Sequence, residues 1–208
     1  VEITPWVGRA VRPRKASPSP NRTYHPVGSA GLDLLMEGGH CHPPAQADDL
    51  LFPCREVDGD FDVSARVLRL DPTACFASAG LMVRRSLSAD SDYIFPHVTP
   101  VEGNSWVSCI VTDTRDGKRV SRQLPHVPAN WVYPVSVPDE WIRLRRNFNE
   151  FTVFRSRNGK QWQPLWVVPF DVKEAVFVGF TAHSESRPRT GYAMFREIQW
   201  KRPADGKR

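Results

Sequence analysis

The sequence predicts an all-β fold, a sandwich of two antiparallel sheets, and three observations predict it. Apolar residues recur at every second position through several segments, the period of a half-buried strand. Asp58-Gly59, Asp116-Gly117 and Asn158-Gly159 punctuate the chain with dipeptides that accept the positive φ angles of tight turns. Finally, 19 prolines and 13 glycines are spread along the 208 residues, which leaves little room for long helices and suits many short strands. A sandwich of this length routinely forms a single domain.

Residues 1–30 read as an irregular N-terminal arm, with Pro13, Pro18, Pro20 and Pro26 set among basic and small polar residues. The sandwich is expected over residues 31–200, and 201–208 read as a basic tail. In FDVSARVL, Phe61, Val63, Ala65 and Val67 share one face. In AGLMVRR the apolar set is Ala79, Leu81 and Val83, and in WIRLRR it is Ile142 and Leu144. In VFVGFTAH it is Val176, Val178, Phe180 and Ala182. The opposite face of these strands is mixed, with Met, Arg, aromatic and His side chains, and the alternation points it away from the core. The run from Phe151 through Asn158-Gly159 to Trp162 reads as a β-hairpin.

The formal charge is 28 − 23 = +5. Part of the excess lies near the ends, at Arg9, Arg12, Arg14 and Lys15 and at Lys201, Arg202, Lys207 and Arg208. Solvated tails account for this, and without an RNA-binding or zinc-finger signature no nucleic-acid partner is expected. No apolar run approaches the ~18 residues of a membrane span. Four cysteines, Cys41, Cys54, Cys75 and Cys109, allow three pairings. Cys41 and Cys54 flank a Pro-Pro loop that a local bridge would tie, while Cys75 and Cys109 suit buried thiols. Asn21-Arg22-Thr23 fits a glycosylation sequon, relevant only in a eukaryotic secretory host.

GDFDVSARV, AGLMVRRSLSADSDY, WIRLRRNFNEFTVFRSRNGKQW, VFVGFTAHS and AMFREIQW follow one another in an order that resembles the DUF1349-like family of the concanavalin A-like lectin/glucanase superfamily. The resemblance covers roughly residues 31–200. It implies a jelly roll with one concave and one convex sheet, and an extracellular or periplasmic setting beside carbohydrate-active modules. The Cys41/Cys54 loop, the Pro-rich arm and an insert near Pro125–Pro134 depart from the pattern.

Because that superfamily contains glucanases, catalysis needs a test. Retaining glycosidases place two carboxylates about 5–5.5 Å apart, and on a strand such acids often lie two residues apart. Glu102, Glu140, Glu150, Glu174, Glu185 and Glu197 are instead scattered, so no catalytic residue is assigned. Asp58, Asp60 and Asp62 read as turn chemistry, with a structural calcium ion as the sharper alternative. His40-Cys41-His42 with Cys54 has metal-capable atoms, but its spacing matches no common zinc site. No metal or other cofactor is otherwise expected.

The reading that remains is a non-catalytic carbohydrate-binding or adhesion module using the concave sheet. A glycoside hydrolase or lyase with acids on separate strands, and a structural protein-interaction module, are the alternatives. Candidate ligand contacts are Arg66, Met82, Arg84, Arg143, Arg145 and His183 on the mixed faces, with Tyr93, His97 and Trp106 on neighbouring segments. Together they would line a basic, partly aromatic groove for a poly- or oligosaccharide, with acidic chains included.

Overall fold

The computed structural model describes residues 6–11, 22–37, 47–73, 77–99, 106–124, 140–172, 175–184 and 190–201. Among them there is no helix, and the strands form two antiparallel seven-stranded sheets. Strands are numbered in chain order. The first sheet runs β1 (Val7–Val11), β4 (Leu50–Val57), β13 (Val176–His183), β6 (Ser78–Arg84), β7 (Tyr93–Thr99), β8 (Trp106–Arg115) and β9 (Lys118–Gln123). The second runs β12 (Gln163–Pro169), β11 (Glu150–Ser156), β10 (Glu140–Asn147), β5 (Phe61–Leu70), β14 (Thr190–Lys201), β3 (Gly31–Glu37) and β2 (Thr23–Val27).

Alternation decides which side chains meet between the sheets. Phe61, Val63, Ala65 and Val67 on β5, with Ile142 and Leu144 on β10, pack in one core with Ala79, Leu81 and Val83 on β6 and Val176, Val178 and Phe180 on β13. All are essentially sealed from solvent, and burying a side chain of this size stabilises the fold by roughly 1.5–3 kcal/mol. At one end of the sandwich Trp6 packs edge-on to Phe180 and Trp200, and the Arg55 guanidinium lies between the two indoles, 3.9 Å and 4.8 Å from their centroids.

Two described segments of the N-terminal region are strands. Residues 7–11 and 23–27 supply β1 and β2, each at the edge of a sheet. Pro26 is tolerated on β2 because an edge strand need not offer every N–H to a neighbour.

The turns behave in three ways. Asp116 (φ 50°) and Gly117 (φ 72°) join β8 to β9 as the two left-handed residues of a hairpin turn. Gly159 (φ 66°) lies between β11 and β12, where a Cβ would come within 2.8 Å of the Trp141 ring. Asp58-Gly59, by contrast, carries the chain from β4 in one sheet to β5 in the other. The β10–β11 hairpin turns without glycine, through Phe148 at φ 54°. Its N–H donates to Asp60 Oδ1 at 2.7 Å, and its carbonyl accepts from Arg146 Nε at 2.8 Å. The ring stays 68% exposed.

Cys54 and Cys109 are buried free thiols, and the bridge that the Cys41–Cys54 spacing allows involves Cys41, outside the described residues. Burial pushes the Cys54 thiol up to about 12 and raises Cys109 as well. Cys41, Cys75, His40, His42 and Asn21 lie outside the described residues.

Candidate functional site

The nine candidate contacts divide between two surfaces, because their strands belong to different sheets. Met82, Arg84, Tyr93, His97 and His183 sit on the outer face of the first sheet, and each has no solvent exposure. Trp106 starts β8 in the same sheet, but its side chain lies outside the described residues. This face is filled rather than open. Met82 and Tyr93 join Val11, Leu50, Phe52, Cys54, Phe95 and Ile110 in a second apolar cluster, with Leu87 and Ala89 packed against it.

The charge on this face is sealed in as well. Arg84 Nη1 donates to Asp48 Oδ2 at 2.6 Å, and Arg119 Nη2 reaches both Asp48 oxygens at 2.9 Å. The Arg84 and Asp48 side chains are fully buried, and Arg119 is 6% exposed. Arg84 also donates to the carbonyls of Ser86 and Ser88, while the Asp48 N–H donates to the Ala89 carbonyl. The segment 85–92 is therefore tied down over the sheet. A buried charge is tolerated only when paired in this way.

Arg66, Arg143 and Arg145 lie on the outer face of the second sheet, on the central strands β5 and β10. Here the face is open, and Arg66, Arg143 and Arg196 are matched to carboxylates. Arg143 binds Asp62 through both Nε (2.7 Å) and Nη2, and these hydrogen bonds raise its already high pKa further. Arg66 pairs with Glu197 at 3.0 Å and Arg196 with Asp33 at 2.5 Å. Arg145 lies over the Phe154 ring at 5.2 Å. The basic groove expected from the sequence is thus largely neutralised on this face and sealed on the other.

A concavity opens on the second sheet. It has a volume of about 280 Å³ and is lined by Asp62, Ser64, Arg143, Gly159, Lys160, Trp162, Gln199 and Lys201. Strands β5 and β10 provide the floor through Asp62, Ser64 and Arg143. The β11–β12 connection forms one wall. There Ser156 Oγ accepts the Asn158 and Gly159 N–H groups, and Asn158 Oδ1 accepts those of Lys160 and Gln161. Trp162 is steadied by edge-on contact with Trp141 and by Arg143, whose guanidinium lies 5.4 Å from its ring. β14 supplies the other side.

That third side depends on a bulge. Upstream on β14, Ala193 and Phe195 face the core; downstream, Ile198 and Trp200 pack against it. The extra residue is Glu197, at φ 52°, where the pairing with β5 shifts register. Inserting one residue reverses the faces of everything after it. It thereby puts Gln199 opposite Ser64 and Lys201 opposite Asp62, on the outer surface.

Of the sequence candidates only Arg143 lines this pocket, and Asp62, Ser64, Gly159, Lys160, Trp162, Gln199 and Lys201 were missed as ligand contacts. The Asn-Gly-x-x-Trp hairpin was a signal for Gly159 and Trp162. Nothing in the local pattern announced the bulge that presents Gln199 and Lys201.

Asp33, Asp48, Asp49, Asp62, Glu140 and Glu197 each hold an arginine, so these carboxylates face cations rather than one another. Asp60 caps the Phe148 turn and Asp62 pairs with Arg143, which separates the tasks of the Asp58-Asp60-Asp62 group. Among the described residues no group of three or more His, Cys, Asp or Glu is gathered to hold a metal ion. Among the described residues no helix is long and apolar enough to cross a membrane.

Solved structures share this architecture at low sequence identity. A functionally unknown protein from Saccharomyces cerevisiae superposes with a TM-score of 0.66 at 18% identity, covering 88% of this chain and 97% of that one. The GH43 protein BlXynB from Bacillus licheniformis, as its K247S mutant, gives 0.59 at 17% identity, over 82% of this chain but only 32% of its own. The exoplasmic/lumenal domain of VIP36, solved in a Ca2+/Man3GlcNAc-bound form, gives 0.56 at 9% identity, covering 98% and 86%. Among curated proteins none matches the sequence. The fold is the lectin-like jelly roll, and with residues 40–203 matching the model described as "Protein of unknown function (DUF1349)", the chain belongs to the DUF1349 family.

Proposed function

We propose that the chain is a non-catalytic carbohydrate-binding module whose sugar site is the pocket on the outer face of the second sheet. One observation carries this reading. The concavity on that face places one aromatic side chain, Trp162, beside side chains that donate and accept hydrogen bonds, Ser64 and Gln199, above a fixed Arg143–Asp62 pair. A sugar ring needs an apolar platform for its C–H face and polar groups for its hydroxyls, and small-ligand sites in general mix the two. At about 280 Å³ the pocket suits one unit of a chain rather than a long stretch. The sugar-bound state of the VIP36 domain supports the same class of ligand for this architecture.

The hydrolase or lyase alternative is weaker, because the carboxylates nearest the pocket serve arginines. A carbohydrate-binding role also fits a setting outside the cytoplasm, where free glycans are met.

The test is titration calorimetry against neutral and acidic oligosaccharides, chosen from a glycan array. Trp162→Ala should weaken binding about tenfold, in keeping with the ~0.5–1.5 kcal/mol of an aromatic contact beyond its buried area, while far-UV circular dichroism stays unchanged. No binding across the array would sink the reading. Release of reducing ends that disappears when an acid is replaced would establish the hydrolase alternative instead.

A further inference from the structure

The pocket carries more information than its shape. Its formal charges are Asp62, Arg143, Lys160 and Lys201. Asp62 and Arg143 are joined by two hydrogen bonds and cancel. That leaves two ammonium groups, and among the described residues neither Lys160 nor Lys201 has a carboxylate partner, on a face where the arginines nearby are paired. The two lysines come from opposite sides of the pocket, one from the β11–β12 connection and one from the end of β14. Both owe their place to backbone features that local alternation would not produce. Lys160 follows the left-handed Gly159, and Lys201 faces outward only because Glu197 bulges.

Resting on the carbohydrate reading above, we infer that this pocket takes an anionic sugar, the carboxylate or sulfate of one unit lying between Lys160 and Lys201 while Trp162, Ser64 and Gln199 hold the ring. The basic character expected from the sequence for a broad groove is thereby confined to one place. An ammonium is a compact charge with rotatable donors, and it suits an anion on a flexible chain better than a rigid guanidinium already committed to Asp62. Both lysines are solvent-exposed, so each contact is modest and sensitive to salt.

The experiment compares each acidic chain with its own uncharged form. Oligogalacturonate is titrated against fully methyl-esterified oligogalacturonate, and a sulfated galactan oligosaccharide against its desulfated counterpart, using the wild-type chain, Lys160→Gln, Lys201→Gln, the double variant and Trp162→Ala. The expected result is tighter binding of at least one acidic form than of its neutral twin. Each lysine substitution should lower that affinity about two- to fivefold, the scale of an exposed ion pair, and the double variant about tenfold. Binding of the neutral twin should not change. Raising salt from about 50 to about 500 mM should weaken the acidic form alone.

Preference for the galacturonate identifies a carboxylate ligand, and preference for the galactan a sulfate ester; both support the inference. Equal binding of acidic and neutral twins, lost in Trp162→Ala but not in the lysine variants, overturns the anionic inference and leaves the carbohydrate reading standing. No binding of any chain, acidic or neutral, overturns both.

Discussion

Replacing Asp48 with Asn tests the buried charge network that closes the first sheet. Asp48 serves two guanidinium groups at once, Arg84 at 2.6 Å and Arg119 at 2.9 Å, with its own side chain fully buried. Removing one partner of a buried ion pair costs about 3–5 kcal/mol, because the remaining charge keeps its desolvation penalty. Asp48→Asn strands two such charges, so it belongs at the top of that range or above. Arg84→Met is milder, at about 1–3 kcal/mol, since Asp48 still has Arg119 and the lost hydrogen bonds are the main cost. The double variant should lose less than the sum of the two, by about 1–3 kcal/mol, because Arg84 is no longer there to be stranded. Urea unfolding followed by tryptophan fluorescence measures all three. With a slope of about 2–3 kcal/mol/M, Asp48→Asn should move the midpoint down by roughly 2 M or more. A loss below about 1 kcal/mol for Asp48→Asn, or strict additivity in the double variant, would refute the claim that this face is held shut by a shared buried anion.

Two further outcomes follow from the backbone and the thiols. Phe148→Gly should stabilise the chain by about 1 kcal/mol, since glycine adopts φ 54° without the penalty an L side chain meets there and the exposed ring gives up little packing; thermal unfolding should rise by about 2–4 °C, and a fall would show that the ring is held by contacts. Cys54 should resist iodoacetamide in the native state and react once unfolded. Its folded pKa of about 12 lies above the ordinary value of 9.0, so the folded state keeps its proton longer than the unfolded state. That contribution is fully present below pH 9 and is lost as pH rises towards about 12. Cys54→Ala should flatten the alkaline fall in stability over that window, and an unchanged slope would contradict it.

How much of this was legible in the sequence varies by residue. Phe61, Val63, Ala65 and Val67 announced their buried face because period-two alternation is a local property, and Asp116-Gly117 announced its turn for the same reason. Alternation gives the parity of a side chain but not the sheet its strand joins. It therefore grouped Arg143 on β10 with Arg84 on β6, which the topology places on opposite sides of the molecule. Nor could it show that Met82 and Tyr93, though facing away from the main core, enter a second one. That depends on segment 85–92 folding back and on Asp48, 36 residues from Arg84, arriving as its partner. The pocket was least legible of all. Asp62 and Arg143 are 81 residues apart, and the faces of Gln199 and Lys201 depend on a bulge that a strict alternation count would place the other way.

The positions of β13 and β14 bear on how this molecule is made. β13 lies between β4 and β6, and β14 between β5 and β3, so the two described strands that come latest in this sequence are each the joint of a sheet. Until residues 176–201 leave the ribosome, both sheets exist only as separate ladders, and the inner edges on β3, β4, β5 and β6 offer unpaired backbone groups to any passing strand. Early, stepwise assembly from the N-terminus, the usual habit of growing chains, stops short here. Productive folding becomes a late and concerted event, and the interval before it is when a chaperone would matter most.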